Sequence, residues 1–175
     1  MKFNYSKICL NLLGDLPPKQ KEVILRRFAL SAPFASGEGG TKRETLEAIG
    51  KDLGVTRERV RQIEENGLSG LKPHLKERQK IFQHFASQLK ATGNLRKEDA
   101  FLDLLGGKKF QKDIGTRPSS SRSLSIAELK FRNNQIFFLL TLNDSFTRFP
   151  ETKDYYSLWT VNPHSVSFAH EVIDS

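Results

Sequence analysis

The chain has 175 residues, enough for one or two small domains with cores of their own. Its formal net charge of +8 and pI near 9.7 favour polyanionic partners, and the surplus is shared evenly: residues 1–75 carry 13 Lys/Arg against 9 Asp/Glu, and residues 76–175 carry 15 against 11. The single cysteine, Cys9, excludes an intrachain disulfide, and no apolar run suits a membrane span or a secretory signal, so a reducing, cytoplasmic setting without membrane contact is expected.

In chain order, Ser31 to Arg43 is a glycine-rich loop expected to be mobile. The next stretch, Thr45 to Leu71, reads as two short helices around a glycine turn. Thr45 can cap the first helix, and Leu46, Ile49 and Leu53 give it one apolar stripe. Gly50 beside that stripe lets a second helix approach closely. Gly54 suits the left-handed conformation that ends a helix, and Val55 fills the space under the turn. Thr56 is a second N-cap, and Glu58 lies in the first turn, where the helix dipole favours an acid. Val60, Ile63, Gly67 and Leu71 form the inward stripe of the second helix.

Arg57 with Arg61, and Glu58 with Gln62, are four apart and project from neighbouring strips of the outer face. Arg presents a donor fork for guanine, Glu accepts from cytosine, and Gln pairs with adenine. An acid among arginines suggests base reading as well as phosphate contact. The competing reading is a solvated face with intrahelical ion pairs, such as Glu58 with Arg61.

The second half continues with a helix from His74 to Ala91, lined by Leu75, Phe82, Phe85 and Leu89. A shorter helix over residues 96–105 points Phe101, Leu104 and Leu105 inward. Residues 107–123 mix lysine, glycine, proline and serine and read as a basic, flexible loop. A third helix spans Ser125 to Leu142, burying Leu129, Ile136, Phe137 and Leu140. DSFTRF and YYSLWTV around a polar ETKD read as a hairpin. Three helices followed by a hairpin is the order of a winged helix. Phe146, Phe149, Tyr155, Tyr156 and Trp159 are better read as a small hairpin core than as base-stacking residues. Lys130 and Arg132, with Lys108, Lys109, Lys112, Arg117 and Arg122, form either a second phosphate-binding face or a solvated surface. The closing NPHSVSFAHEVIDS resembles a capped helix start that stops abruptly, which suggests a longer native protein.

GVTRERVRQIEENGLSGL resembles the helix-turn-helix of region four of the major bacterial sigma factors, and LPPKQKEVILRRFAL, residues 16–30, resembles the helix before it. The resemblance covers about residues 10–75. It implies binding of double-stranded DNA at the minus thirty-five promoter element and docking on the RNA polymerase beta flap. By position it makes Arg57, Glu58, Arg61 and Gln62 base readers. It makes Arg59 and the start of the first helix, Thr45, Leu46 and Glu47, backbone contacts. Apart from the resemblance, the basic cluster of the second half offers Lys130 and Arg132 as further backbone contacts. One departure is Asn66 to Gly70, where the family carries basic helical residues. Its two glycines cost roughly 1 kcal/mol each in helix stability, so this helix is expected to fray or end early. LNDSFTRFPETKDYYSLWTV resembles the wing of the HARE helix-turn-helix domain of the polymerase delta subunit, over about residues 76–163.

The expected fold class is therefore mainly α. A sigma region-four-like bundle occupies residues 1–75, a winged helix with a small hairpin occupies 76–163, and 164–175 form a tail or the start of a further segment. His74, His84, His164 and His170 lack metal-ligand spacing. No nucleotide-binding glycine loop or nucleophile elbow is present, so no cofactor, catalytic site or small-molecule substrate is expected. The leading expectation is a sequence-specific, sigma-factor-like transcription regulator. Its rivals are a delta-like polymerase accessory protein and the DNA-targeting half of a longer protein.

Overall fold

The computed structural model describes residues 3–31, 42–107, 125–153 and 156–162. Residues 32–41 of the glycine-rich loop expected from Ser31 to Arg43, residues 108–123 of the basic loop expected at 107–123, Tyr155 and the segment after 162 lie outside the described residues.

The first helix, α1 (Tyr5–Gly14), was not expected from the sequence. Asn4 caps it, accepting from the Lys7 backbone N–H at 3.0 Å. Tyr5, Cys9, Leu12 and Leu13 recur at helical spacing and are buried. Next, α2 (Pro18–Arg27) starts on proline, whose missing N–H is harmless in a first turn. It ends in a Schellman arrangement: the Leu30 N–H reaches back to the Leu25 carbonyl at 2.9 Å, and Ala29 takes φ of 48° between them.

Both expected caps are present in the next pair. In α3 (Leu46–Leu53) the Thr45 hydroxyl accepts from the Ala48 N–H at 3.1 Å; in α4 (Arg57–Leu71) the Thr56 hydroxyl accepts from the Arg59 N–H at 3.2 Å. Gly54 between them is left-handed, with φ of 65°. Gly50 is fully committed to the turn, since a Cβ there would lie 2.7 Å from the Val55 carbonyl oxygen.

The expected fraying at Asn66 to Gly70 is corrected: α4 is helical through Leu71. The reason is tertiary. A Cβ on Gly67 would lie 2.7 Å from Ile24 Cδ1, so this glycine lets α2 and α4 touch. Packing there offsets the intrinsic helix penalty.

Pro73 corrects the expected helix from His74 to Ala91. Lys72–Arg78 wind as a 3-10 segment, because proline has no N–H for the α4 carbonyl behind it, and α5 (Gln79–Lys90) follows. The expected helix over 96–105 is shortened by a strand. Leu95–Lys97 form β1, α6 (Glu98–Leu105) follows, and the Glu98 N–H donates to the Ser157 carbonyl at 2.8 Å. Ser125 and Glu128 make a reciprocal capping box that starts α7 (Ile126–Leu142). The hairpin strands β2 (Thr147–Phe149) and β3 (Leu158–Thr160) pair antiparallel. Adding β1 gives a three-stranded antiparallel sheet in the order β1-β3-β2, so the wing has one strand more than expected.

The fold is thus mainly α: a helix-turn-helix bundle and a winged helix with a small sheet. Two clusters hold it. The smaller joins Val23 of α2, Ile49 of α3 and Val60 of α4, all fully buried. The larger runs from Leu13 and Ile24 through Leu71 to Phe85, Phe101, Phe138 and Trp159. Long-range polar contacts reinforce it. The Tyr5 hydroxyl donates to the Leu105 carbonyl at 2.9 Å, and Gln135 Nε2 donates to Ser6 Oγ at 2.9 Å. Helix α1 therefore packs on the second half of the chain. In the hairpin Phe146 and Trp159 are buried as expected, whereas Tyr156 is exposed with Lys97 Nζ 3.6 Å from its ring centroid. No described helix is long and apolar enough to cross a membrane.

Candidate nucleic-acid interface

The outer face of α4 is built by what lies behind it. Val60 and Leu71 are fully buried and Gly67 lies on α2, which turns Arg57, Glu58, Arg59, Arg61 and Gln62 to the surface. All four expected base readers share this exposed face. Arg61 bridges Glu58, at 2.9 and 2.7 Å, and Glu65 one turn on. Arg59 Nη1 donates to Gln62 Oε1 at 3.2 Å, and Gln62 Nε2 donates to Glu58 at 3.4 Å. The intrahelical ion pairs of the competing reading therefore exist. They lower the Glu58 pKa through the Arg61 hydrogen bond and raise that of Arg61 through Glu58. These groups lie in water, where such contacts are screened and exchange readily for a polyanion. Arg57 has no ion pair or hydrogen bond among the described residues.

The expected backbone contacts divide. Thr45 spends its hydroxyl on the cap, Leu46 is half-buried against the smaller cluster, and Glu47 is exposed in the first turn of α3. That turn still presents backbone N–H groups suited to a phosphate. Lys130 is exposed on α7. Arg132 is half-buried, and its Nη1 donates to the Gly106 carbonyl at 2.6 Å, holding the end of α6 to α7. Lys108, Lys109, Lys112, Arg117 and Arg122 lie outside the described residues.

Two positioning residues were not anticipated. Arg26 grips Glu44 through Nε at 3.0 Å and Nη2 at 2.6 Å, and also reaches Asp52 at the end of α3. Arg27 donates to the Glu44 carbonyl at 2.9 Å and pairs with Glu64 of α4 at 3.4 Å. Burial pushes the Glu64 pKa up, with Arg27 opposing that shift. Together the two arginines fix α3 and α4 against α2. Among the described residues no group of three His, Cys, Asp or Glu is placed to hold a metal ion.

Comparison with known proteins bears on this segment. Residues 12–72 match the family Sigma-70, region 4. RNA polymerase sigma-B factor of Nostoc sp. is 44% identical over 62 residues, which are 35% of this chain and 16% of that protein. RNA polymerase sigma factor SigA of Clostridium acetobutylicum is 41% identical over 63 residues, 36% of this chain and 15% of that protein. RNA polymerase sigma factor RpoS of Coxiella burnetii is 40% identical over 60 residues, 34% of this chain and 15% of that protein. The chain thus spans about a sixth of the length of these relatives. Residues 12–72, which take in α2, α3, α4 and the turn between the last two, are the part of this chain similar to Sigma-70, region 4.

Proposed function

We propose that the chain is a sequence-specific, sigma-factor-like regulator that binds duplex DNA at promoters together with RNA polymerase, in the cytoplasm of a bacterium. One observation carries the reading: two side-chain-capped helices joined at a left-handed Gly54 expose Arg57, Glu58, Arg61 and Gln62 on one face. In this reading α4 enters the major groove, where Arg57 and Arg61 take guanine edges, Gln62 adenine and Glu58 cytosine. Arg59 and the N-terminus of α3, with Thr45, Leu46 and Glu47, follow the phosphates. The protein does no chemistry on DNA, and the contact with polymerase is through its flap.

The second half, about residues 76–163, is proposed as a HARE-type winged helix. The order helix, strand, two helices and hairpin supports this. It adds phosphate contact through Lys130, with Arg132 buttressing α7, or contacts polymerase as a delta-like accessory domain does. Its core is shared with α1, so both halves move as one body in this reading.

Fluorescence anisotropy of the full chain tests the assignment. Arg61→Ala loses roughly 1–3 kcal/mol on a duplex enriched from random sequence, and much less on a scrambled one. Equal losses on both would reduce Arg61 to a phosphate contact. In the same assay Lys130→Gln lowers the slope of log affinity against log salt by about 0.9 if Lys130 meets a phosphate. An unchanged slope takes α7 out of the DNA interface and favours the polymerase alternative.

A further inference from the structure

A cavity of about 530 Å³ opens where α2, α4, α7 and the wing meet, lined among others by Arg27, Arg43, Glu64, Phe137, Arg148 and Trp159. Its size is that of a small-molecule site. Its polar groups are unevenly matched. Arg148 is held by the buried Glu98, which Trp159 Nε1 also engages at 3.1 Å. Arg27 is held by Glu64. Arg43 has no carboxylate partner among the described residues; its guanidinium lies 4.0 Å from the centroid of the Phe137 ring. Among the described residues Arg43 is therefore the guanidinium of this lining without a paired carboxylate. Removal from water pulls the Arg43 pKa down; the charge of Glu98, and more weakly that of Asp99, opposes this, while those of Arg148 and Arg27 act with it.

The rest of the lining is aromatic. Phe137 meets Trp159 edge-on, with centroids 5.8 Å apart and planes at 80°, and Arg148 stands 5.4 Å from the same ring. An alternative is that these arginines only hold α2, α7 and the wing together. Contacts serving that purpose alone would close on one another, whereas here the space between them is open.

We propose that this cavity binds a small aromatic anion, a phosphate or carboxylate on a flat ring, with the anion at Arg43 and the ring in the aromatic part of the lining, where Phe137 and Trp159 meet edge-on. A charged donor on an aromatic shelf suits both parts of such a ligand. A phosphate could also come from the backbone of a duplex bound by α4, because Glu64 belongs to that helix. The site is independent of the base-reading assignment.

Trp159 is the only tryptophan in the chain and lines the cavity, so its fluorescence reports occupancy in the full-length protein. Phenyl phosphate is titrated against inorganic phosphate and benzyl alcohol. The proposal expects a saturable change with phenyl phosphate and at least tenfold weaker responses to the other two. Arg43→Gln weakens phenyl phosphate about tenfold, the loss of one charge-assisted contact, while Arg43→Lys keeps part of the affinity. Thr141→Phe, which fills the cavity from an exposed position on α7 without altering charge, abolishes binding. Equal affinity for inorganic and phenyl phosphate, or an Arg43→Gln curve superimposed on that of the parent, overturns the proposal. The titration is repeated with saturating duplex DNA. Retained binding supports a small-molecule site; competitive displacement assigns the anion to the DNA backbone and overturns it.

Discussion

Gly67 and Gly70 stand three residues apart in α4, and alanine at each position should have opposite effects. Both substitutions gain the same intrinsic helix propensity, about 1 kcal/mol. At Gly70 a new methyl would lie 3.9 Å from Leu16 Cδ2, an ordinary contact, so the gain survives. At Gly67 the methyl would lie 2.7 Å from Ile24 Cδ1 and 3.4 Å from Gln20 Cβ. Ile24 is fully buried, so either its side chain is forced into a new packing or α2 and α4 separate. Such overpacking costs about 1–3 kcal/mol. The difference between the two variants cancels propensity and should equal that cost. For a chain of this size 1 kcal/mol moves Tm by about 2–4 °C. Thermal melting followed by circular dichroism should therefore show Gly70→Ala melting a few degrees above the parent and Gly67→Ala at or below it. If Gly67→Ala rises as far as Gly70→Ala, the close approach of α2 and α4 is refuted and the glycine is only a weak spot in a helix.

Two further predictions concern the turn and the core. Gly54→Val should lower stability by about 1–2 kcal/mol in urea denaturation, because a β-branched residue resists the left-handed conformation. Nothing lies within 4 Å of a Cβ there, so the loss is conformational; an unchanged urea midpoint would contradict the φ of 65°. Burial pushes the Cys9 thiol and the Tyr5 hydroxyl each up to about 12. In the unfolded chain these groups ionise near 9 and 10, so their contribution to stability is intact below pH 9 and is lost as pH rises towards 12. The native chain at pH 8 should accordingly leave Cys9 unreacted with an aromatic disulfide reagent that modifies it at once in denaturant. Rapid modification of the native protein would place the thiol at the surface.

The helix-turn-helix was legible because its signals are local. Each cap bonds three residues ahead, at Thr45 and Thr56; the turn needs one glycine; and the apolar stripes repeat within a helix turn. What was missed is held by distant partners. Helix α1 is tied to Leu105 and Gln135, more than 90 residues away, and no window around Tyr5 contains them. Strand β1 has three residues and exists because Leu95 to Lys97 meet Leu158 to Thr160. Gly67 was misjudged for the same reason. Propensity counts its missing side chain as a cost, while Ile24 across the interface makes that absence necessary. For the interface, residue types and spacing identified the exposed face of α4 and offered the Glu58–Arg61 pair as the competing reading, but not the second contact of Arg61, with Glu65. The arginines that fix the helices, Arg26 and Arg27, act on residues 17 to 37 positions away, beyond any helical repeat. Lys130 and Arg132 looked equivalent in sequence, yet one is exposed and the other is committed to the Gly106 carbonyl.

Selection of binding sites from random duplex DNA by the full chain, repeated with Arg57→Ala, tests base reading by α4 most directly. Arg57 is the appropriate residue because its side chain makes no ion pair or hydrogen bond among the described residues, and it acts on Glu58 only through its charge. The account predicts one short recurring element for the parent, with a guanine preference that relaxes at a single position in the variant. Enrichment of no element, or of the same element with every preference intact in Arg57→Ala, would contradict it.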